Sequence, residues 1–529
     1  MVSPALGISV SSCTRIFPPS HPTSLDSLKS KPPVHPKTVN LSILDASVGL
    51  YSPTSGVWFY SFPDTPPDNR NEALTDSLAA TLAFYPQWAG QLHLTEYSPT
   101  GDHTTRYGRM ALTYGATSDP GVAVHLATSS RTVKSLIPDD EARKAGYWNA
   151  QPSTLEELLP GRRGGDTGRL ALWNMEESDG LPCVVVQLTT FACGGMAIAI
   201  RIAHPLADAG MLVKFVTNWA SLHRGESLKD GDLPIFDPNL LDSTAAGNID
   251  GQEHDEELLK RSRALPVSRF DFWESGTSRP AALESITTEQ VDVGRGAVMP
   301  WSTWDQEFPV EHYKVFFGAK EIQGMWEDAT SCSAPGTRIS RFDALLAHIW
   351  VLLIRARQLP PGIPNAMHVT LGVRARTRPP LPATFLGSPI LLTRVLGTPE
   401  SNIGQLATSI RASLVQFTPE AVSAYLHDRA FELSAQRLWS AFLGNNNSIH
   451  TSWLDIGASD IDFFGEAGQL VFMDSLMSDL DGIIKFIEAV DNAGKREKWY
   501  QGEVCVTLHL RRDVMEVLLQ DPGLRRYRS

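Results

Sequence analysis

The chain has 529 residues, of which 42% are hydrophobic and 20% charged, and its formal net charge is −13. This length predicts two or more domains of roughly 100–250 residues each, and the composition excludes disordered and fibrous proteins. The acidic balance argues against nucleic acid or an anionic membrane surface as the main partner, because both select basic patches.

The amino-terminal part of the chain predicts a strand, a helix and then a β-hairpin. Residues 57–62 alternate and are rich in aromatic side chains, which favours a strand. Residues 72–82 carry leucines at helical spacing. Residues 183–203 alternate with period two on both sides of a two-glycine turn, and the second arm ends directly before His204. Pro205 then suits the first turn of a further amphipathic helix.

The carboxy-terminal part begins after an acidic, glycine-containing stretch at 225–300, which predicts a mobile connection and a domain boundary. Ser340 and Asp343 resemble a capping box at the start of a helix. The strands and helices predicted beyond the connection are, in chain order, a strand at 313–317, a helix at 341–357, strands at 366–373 and 504–510, and a terminal helix from 513. Together these patterns predict an α+β fold with mixed sheets in both halves.

Several common sequence signals do not occur in this chain. There is no signal-peptide pattern and no run of about 18 apolar residues, so we expect a cytoplasmic protein without membrane insertion. The five cysteines form no C-x-x-C pair and H-E-x-x-H is absent, so no metal site is expected. The motifs of serine hydrolases, P-loop proteins and dinucleotide-binding proteins are also absent.

The best-placed titratable pair is His204 and Asp208, at a strand-to-helix junction. A neutral imidazole can accept a proton near pH 7, which makes His204 a candidate general base, although a structural histidine explains the same pattern. Asp208 could orient the imidazole, as in a catalytic triad, or it could turn away and anchor the junction through hydrogen bonds or an arginine. A metal site would need a third ligand at a sensible spacing.

Residues around this pair resemble the BAHD acyltransferases and their fungal branch, which includes the trichothecene 3-O-acetyltransferases. HPLADAG at 204–210 is similar to the H-x-x-x-D-G signature of that family, although Ala209 stands where the family has glycine. Four further segments resemble family motifs in the same order, namely LSILD at 41–45, SLAATLAFYPQWAGQL at 77–92, VRARTRPPLPATFLGSPI at 373–390, and TSWLDIGASDIDFFGEAG at 451–468.

The resemblance implies two chloramphenicol-acetyltransferase-like domains, each a mixed sheet with flanking helices, and an active-site channel between them. We expect the first domain at 1–230, a crossover segment at 231–300 and the second domain at 301–529. Acyl-CoA would enter the channel from one side as a co-substrate and an alcohol acceptor from the other. No permanently bound cofactor is implied, and we expect a monomer.

The resemblance also implies a role for particular residues. His204 would be the general base, and Thr451 and Trp453 would stabilise the oxyanion of the tetrahedral intermediate. The residues with an implied structural role are Asp208, Asp462 and Gly465. The residues implied in binding CoA are Arg374, Arg376 and Ser340.

The implied activity is that of an acyl-CoA-dependent O-acyltransferase. We expect an acetyltransferase that acts on a specialised metabolite such as a terpenoid or polyketide alcohol, without an acyl-enzyme. One alternative is a condensation-type enzyme with a carrier-protein thioester as donor; such enzymes have two adjacent histidines, whereas Ala203 precedes His204 here. The other alternative is a non-catalytic binding protein on the same fold, against which the intact His204, Thr451 and Trp453 argue.

Overall fold

The structure is a computed structural model that describes residues 7–21, 35–63, 69–98, 100–150, 152–159, 178–274, 295–334, 336–490 and 497–528. Its strands are β1 Ile8–Ile16, β2 Lys37–Asn40, β3 Thr54–Ser61, β4 Gln91–Leu94, β5 Met110–Tyr114, β6 Val122–Ser129, β7 Tyr147–Asn149, β8 Val184–Phe191, β9 Met196–Ile202, β10 Phe270–Asp271, β11 Ala297–Val298, β12 Val310–Phe317, β13 Asn365–Gly372, β14 Ile390–Gly397, β15 Leu438–Trp439, β16 Asn447–Ser452, β17 Gln469–Asp474, β18 Ile483–Glu488 and β19 Val504–Arg511.

The α-helices of the described residues alternate with these strands, which confirms the α+β class. They are α1 Ile43–Ser47, α2 Arg70–Leu82, α3 Asp140–Ala145, α4 Pro152–Leu158, α5 Ala209–His223, α6 Asn239–Asp242, α7 Glu256–Arg263, α8 Ala319–Ser331, α9 Arg341–Ala356, α10 Ile403–Leu414, α11 Pro419–Ala430 and α12 Arg512–Gln520.

A six-stranded mixed sheet forms the core of the amino-terminal half, in the order β1-β6-β8-β9-β3-β17. β8 and β9 are the predicted hairpin and pair antiparallel. β9 is buried along its whole length, because both faces of the sheet are covered. α2 and α5 pack against each other in this core, where Leu78, Phe215 and Trp219 are fully buried. β9 therefore brings the chain to His204 at a well-packed position.

A seven-stranded mixed sheet forms the core of the carboxy-terminal half, in the order β14-β13-β16-β18-β19-β12-β7. The strands β13, β16 and β18 are parallel neighbours, and the other pairs are antiparallel. α9 belongs to the core of this half through Leu345, Ile349 and Leu353. The predicted capping box is present, because Ser340 Oγ accepts from the Asp343 N–H and the Asp343 carboxylate accepts from the Ser340 N–H.

Each half of the chain contributes one strand to the sheet of the other half. β17 pairs with β3 in the first sheet, and β7 pairs with β12 in the second. Sheet membership therefore follows the predicted ranges 1–230 and 301–529 except at these two strands, and the ranges themselves stay a prediction. Two three-stranded sheets, β2-β5-β4 and β11-β10-β15, flank the main sheets.

The junction after β9 differs from the predicted one. Pro205 lies in a short 3₁₀ turn at His204–Leu206, and α5 begins only at Ala209. Ala207 is extended between the two, because it forms a β-bridge with Gly387 and the Asp208 N–H donates to the Gly387 carbonyl at 3.2 Å. A contact with a distant segment therefore interrupts the helix that Pro205 alone would favour.

The described part of the predicted connection is packed, which corrects the expectation of a mobile segment. Leu241 of α6 and Leu259 of α7 are buried, and Ser262 Oγ donates to the Asp428 carboxylate at 2.8 Å. Asp242 accepts from the Ile43 N–H at 2.9 Å. Asp242 thus finds a partner in α1, and Leu241 and Leu259 are buried against the rest of the chain. Residues 275–294 lie outside the described residues.

No helix in the described part of the chain has both the length and the apolar character that crossing a membrane requires.

Candidate active site

His204 lies at the boundary between the two halves of the chain. Its side chain is partly exposed to an internal space, and its ring makes an edge contact with Tyr51 at 5.5 Å between ring centroids. Burial lowers the pKa of the imidazole to about 4, although the nearby charge of Asp208 acts in the opposite direction. The ring is therefore neutral at pH 7, which is the form that can accept a proton.

The carboxylate of Asp208 contacts the backbone of α5 and Arg374 and makes no hydrogen bond to the imidazole. Its Oδ1 accepts from the Met211 N–H at 3.0 Å, so Asp208 is the N-cap of α5. Its Oδ2 forms an ion pair with Arg374 at 2.5 Å. Arg374 also donates to the carbonyls of Phe385 and Gly387. These contacts agree with the anchoring alternative left open by the sequence, and the structural role of Asp208 stays a prediction.

Two cavities meet at His204, with volumes of about 310 and 270 Å³. His204 and Thr451 line both of them, so the same imidazole is reachable from two sides. The larger cavity, which we call the apolar arm, has an aromatic lining that includes Tyr51, Trp304, Trp439 and Phe442. The smaller cavity, which we call the polar arm, has a lining that includes Thr54, Asp208, Arg374, Ser452 and Trp453.

Thr451 and Trp453 come together at this meeting point. Thr451 is near the end of β16, and Trp453 follows that strand with its backbone N–H donating to the Phe486 carbonyl at 2.8 Å. Trp453 is 5% exposed and lines the polar arm. Within the described residues, neither the Thr451 hydroxyl nor the Trp453 indole N–H has a hydrogen-bond partner. Both donors are therefore free to bind an oxygen of a substrate.

The three residues predicted to bind CoA lie in different surroundings. Arg374 is occupied by Asp208, whereas Arg376 donates to the carbonyls of Leu414 and Phe417 at 3.1 and 3.0 Å. Ser340 caps α9 and accepts from Arg411 at 2.8 Å. Burial and the charge of Arg411 lower the pKa of Arg376, so these two guanidinium groups lie near each other. Their role towards CoA stays a prediction.

Comparison with known proteins identifies the family. A model of the Transferase family, whose members are the BAHD acyltransferases, matches residues 167–523, which is more than half of the chain. The chain belongs to this family. It is therefore an enzyme of the acyltransferase class.

This BAHD chain is similar to a fungal acyltransferase, AFT15-1 of Alternaria alternata, with 29% identity over 95% of the chain and 96% of the relative. It also resembles two solved structures. Vinorine synthase shares 18% identity at a TM-score of 0.60, with 96% of each chain covered. TRI101 of F. sporotrichioides, solved with coenzyme A and T-2, shares 16% identity at a TM-score of 0.64, covering 93% of this chain and 99% of that one. The structural likeness shows a shared fold.

The second family-like motif of this BAHD chain lies apart from His204. Asp462 is exposed, and its Oδ1 accepts from the N–H groups of Phe464 and Gly465 at 3.0 and 2.7 Å. Gly465 has a φ of +56°, a conformation that glycine adopts without strain. Phe463 is fully buried against Tyr60 and Trp219. Neither Asp462 nor Gly465 lines either arm, and their structural role stays a prediction.

Sequence reasoning missed two residues that adjoin His204 in this BAHD site. Ser388 contacts the ring at 3.1 Å from Nδ1 and is fully buried. Asp45 accepts from the Ser388 N–H at 2.6 Å, and burial raises its pKa to about 7 against the effect of hydrogen bonds from Ser42 and Ser388. Both belong to segments that resemble family motifs, and that resemblance was the one available signal.

Proposed function

We propose that this chain is an acyl-CoA-dependent O-acyltransferase that transfers an acetyl group to a hydroxyl of a specialised metabolite such as a terpenoid or polyketide alcohol. The observation that carries the proposal is the meeting of two unlike cavities at His204. Two co-substrates that enter from opposite sides can then react at one base without an acyl-enzyme. The polar arm suits acyl-CoA, and the apolar arm suits an uncharged alcohol.

The base in this proposal is His204. Its neutral imidazole takes the proton of the acceptor hydroxyl while the oxygen attacks the thioester carbonyl. The tetrahedral intermediate collapses as the carbon–sulfur bond breaks, and the imidazolium returns the proton to the CoA thiolate. The lowered pKa of about 4 supports this role, because the neutral, proton-accepting form of His204 is then fully populated at pH 7.

The oxyanion of the intermediate is assigned to Thr451 and Trp453. Thr451 lines both cavities and Trp453 lines the polar arm, and the hydroxyl and the indole N–H have no partner within the part of the chain that the structure describes. Donors of this kind contribute about 2.7–4 kcal/mol each when they are aimed at a developing negative charge.

The polar arm is the proposed path of acyl-CoA. Gly372 lines this arm at the end of β13, and Arg376 lies in the short 3₁₀ turn at Arg374–Arg376 that follows this strand. Arg376 lies near Arg411 and the N-terminus of α9 at Ser340, but Arg411 is paired with Asp343 at 2.6 Å. Arg376 is therefore the arginine of this region that we assign to the CoA phosphates.

The apolar arm is the proposed acceptor site. Its described lining contains no Asp, Glu, Lys or Arg side chain, and aromatic and aliphatic residues dominate it. A charged acceptor would be desolvated there without a counter-ion, which is costly. An amine is cationic near pH 7, so the lining favours an uncharged alcohol and hence O-acylation. A volume of about 310 Å³ suits a compact polycyclic molecule.

The test is turnover by the purified full chain with acetyl-CoA and a panel of uncharged terpenoid and polyketide alcohols. Release of free CoA thiol and the mass of the ester are measured together, with primary amines and longer acyl-CoA thioesters as comparison arms. We expect acceptor-dependent thiol release and intersecting rather than parallel initial-rate lines, since parallel lines indicate a covalent acyl-enzyme.

His204→Ala should lower kcat by about 10²–10⁴-fold, because general-base catalysis contributes that much. The matched control is His223→Ala, which removes a half-buried histidine that lines neither arm. Turnover of His204→Ala within about tenfold of the unmodified enzyme would contradict the base assignment. Turnover with a carrier-protein thioester but not with acetyl-CoA would favour the condensation-type alternative, and no turnover with any donor would favour the binding protein.

A further inference from the structure

The contacts of Ser388 define which nitrogen of His204 carries a proton. Ser388 Oγ lies 2.5 Å from the carbonyl oxygen of His204 and 3.1 Å from Nδ1 of the same residue. A serine hydroxyl has one proton, and a carbonyl oxygen can only accept. Because that proton is donated to the carbonyl, Oγ can only accept from the ring. The hydrogen therefore resides on Nδ1, and the lone pair is on Nε2.

The sequence spacing suggests Asp208 as the carboxylate that would orient the imidazole of His204, but Asp208 binds other groups. Both oxygens of Asp208 have partners, one the Met211 N–H and the other Arg374. In a catalytic triad a carboxylate keeps the histidine in the required tautomer. Here Nδ1 contacts the hydroxyl of Ser388, and the ring also hydrogen-bonds the backbone carbonyl of His204, which the same hydroxyl binds.

Ser388 is itself held by an element from the other half of the chain. Its N–H donates to Asp45 Oδ1 at 2.6 Å, and Asp45 Oδ2 accepts from Ser42 Oγ at 2.7 Å in the capping box of α1. Gly387 makes this approach possible, because a Cβ there would come within 2.6 Å of Asp45 Oδ1. Gly387 also has a φ of +125°, which side chains rarely allow.

We propose that Ser388 is the positioning residue that fixes the tautomer and orientation of His204, and that Asp45 holds Ser388 in place. The proposal rests on the role of His204 as the base. In the other tautomer, Nε2 would carry the hydrogen and could not accept the proton of the acceptor. The ring would have to exchange its proton before each turnover.

The test combines turnover with a direct measurement of the tautomer. Ser388→Ala should lower kcat by about 10-fold to 100-fold and leave KM for both substrates within about twofold, because the change affects the reacting base and not binding. The matched control is Ser448→Ala: Ser448 is also fully buried and lies 3.1 Å from His450 Nε2, but lines neither arm. Its kcat should stay within about twofold. A loss as large as that of Ser388→Ala would overturn the proposal.

Nitrogen NMR of the protein labelled with ¹⁵N-histidine reads the tautomer without any turnover. The His204 signals are those that His204→Ala removes. We expect the Nδ1–H form in the unmodified enzyme and a gain of the Nε2–H form in Ser388→Ala, whereas Ser448→Ala should leave the His204 signals unchanged. An Nε2–H form in the unmodified enzyme would overturn the proposal.

The same measurement separates this proposal from the proposed function. If the unmodified chain transfers no acyl group, the function fails, while the tautomer is still tested. If Ser388→Ala does not fold, Asp45→Ala replaces it, because it removes the acceptor of the Ser388 N–H and should also increase the Nε2–H form. An unchanged Nδ1–H form in a folded Asp45→Ala would contradict the holding role of Asp45.

Discussion

At the scale of single residues, environment rather than residue type defines the chemistry of His204. A free histidine has a pKa near 6.5 and is partly protonated at neutral pH. Burial of the ring favours the neutral form, and the Ser388 hydroxyl that contacts the ring carries no charge. The nearby charge of Asp208 favours the charged form, but the effect of burial on the pKa is larger.

The pH dependence of turnover follows from this environment. The base must be neutral, and the pKa of His204 is lowered to about 4, so kcat/KM should fall only as the pH approaches 4. We expect little change attributable to His204 between about pH 5.5 and 8. The measurement is a pH profile of kcat/KM with enzyme stability checked at each pH. An acidic limb centred near the ordinary histidine value of about 6.5 would contradict the burial argument.

Substitution of Arg374 tests whether this arginine stabilises the fold by pairing with Asp208 or binds CoA. Arg374→Met leaves a largely buried carboxylate unpaired, so we expect the free energy of unfolding to fall by about 3 kcal/mol while KM for acetyl-CoA changes by less than about twofold. Urea denaturation and initial rates measure the two effects. The control is Arg378→Met, which removes an arginine with a 75% exposed side chain and should cost less than about 1 kcal/mol. A tenfold rise of KM without a loss of stability would instead support the predicted CoA contact.

At the scale of elements, α9 has a start signal that is local in the sequence. Ser340 and Asp343 satisfy each other's backbone N–H groups, and Leu345, Ile349 and Leu353 face the core of the second sheet. Such signals involve residues a few positions apart, so spacing alone locates them. The start of α5 cannot be located from near neighbours in this way. Gly387, which belongs to a distant segment of the chain, contacts both Ala207 and Asp208 there.

Substitutions of Ser340 test its two assigned roles separately. Ser340→Ala should lower the free energy of unfolding by about 1 kcal/mol, because the hydroxyl that caps α9 is lost. Ser340→Asp keeps a capping oxygen and adds a negative charge, so stability should change little while KM for acetyl-CoA rises if the CoA phosphates bind nearby. Equal KM values for both variants and the unmodified enzyme would exclude Ser340 from the CoA site.

At the scale of the whole molecule, the two halves are joined by exchanged strands and by a buried charge cluster. β17 of the second half completes the first sheet, and its Asp474 pairs with Lys314 of β12 and Lys485 of β18 in the second sheet. Burial alone would raise the pKa of Asp474, but the two lysines lower it to about 2. Ser475, which follows Asp474, lines the polar arm and binds the Lys485 ammonium group. The cluster thus fixes a wall of the site.

Asp474→Asn should be among the most destabilising single changes in this chain. It leaves two buried ammonium groups without a counter-ion, which typically costs about 3–5 kcal/mol. The free energy of unfolding is measured in urea at pH 7. Asp513→Asn is the control, since it removes a 53% exposed partner of Arg511 and should cost less than about 1 kcal/mol. A loss for Asp474→Asn as small as that of the control would show that the cluster does not hold the halves together.

The amino-acid sequence was sufficient for the features that depend on near neighbours. The strand β3, the hairpin of β8 and β9, the helices α2 and α9 and the family itself all follow from periodicity, turn residues and ordered motifs. The same patterns left the role of Asp208 open and predicted a mobile connection where α6 and α7 are packed.

Long-range packing was needed for the features that give the site its chemistry. Ser388 is 184 positions from His204, and Arg374 is 166 positions from Asp208. β7 and β17 each join the sheet of the other half. Periodicity reports which face of an element is buried, but it carries no information about which distant side chain meets that face. Those pairings depend on how the two sheets come together, and that arrangement is what joins the two arms at one neutral histidine.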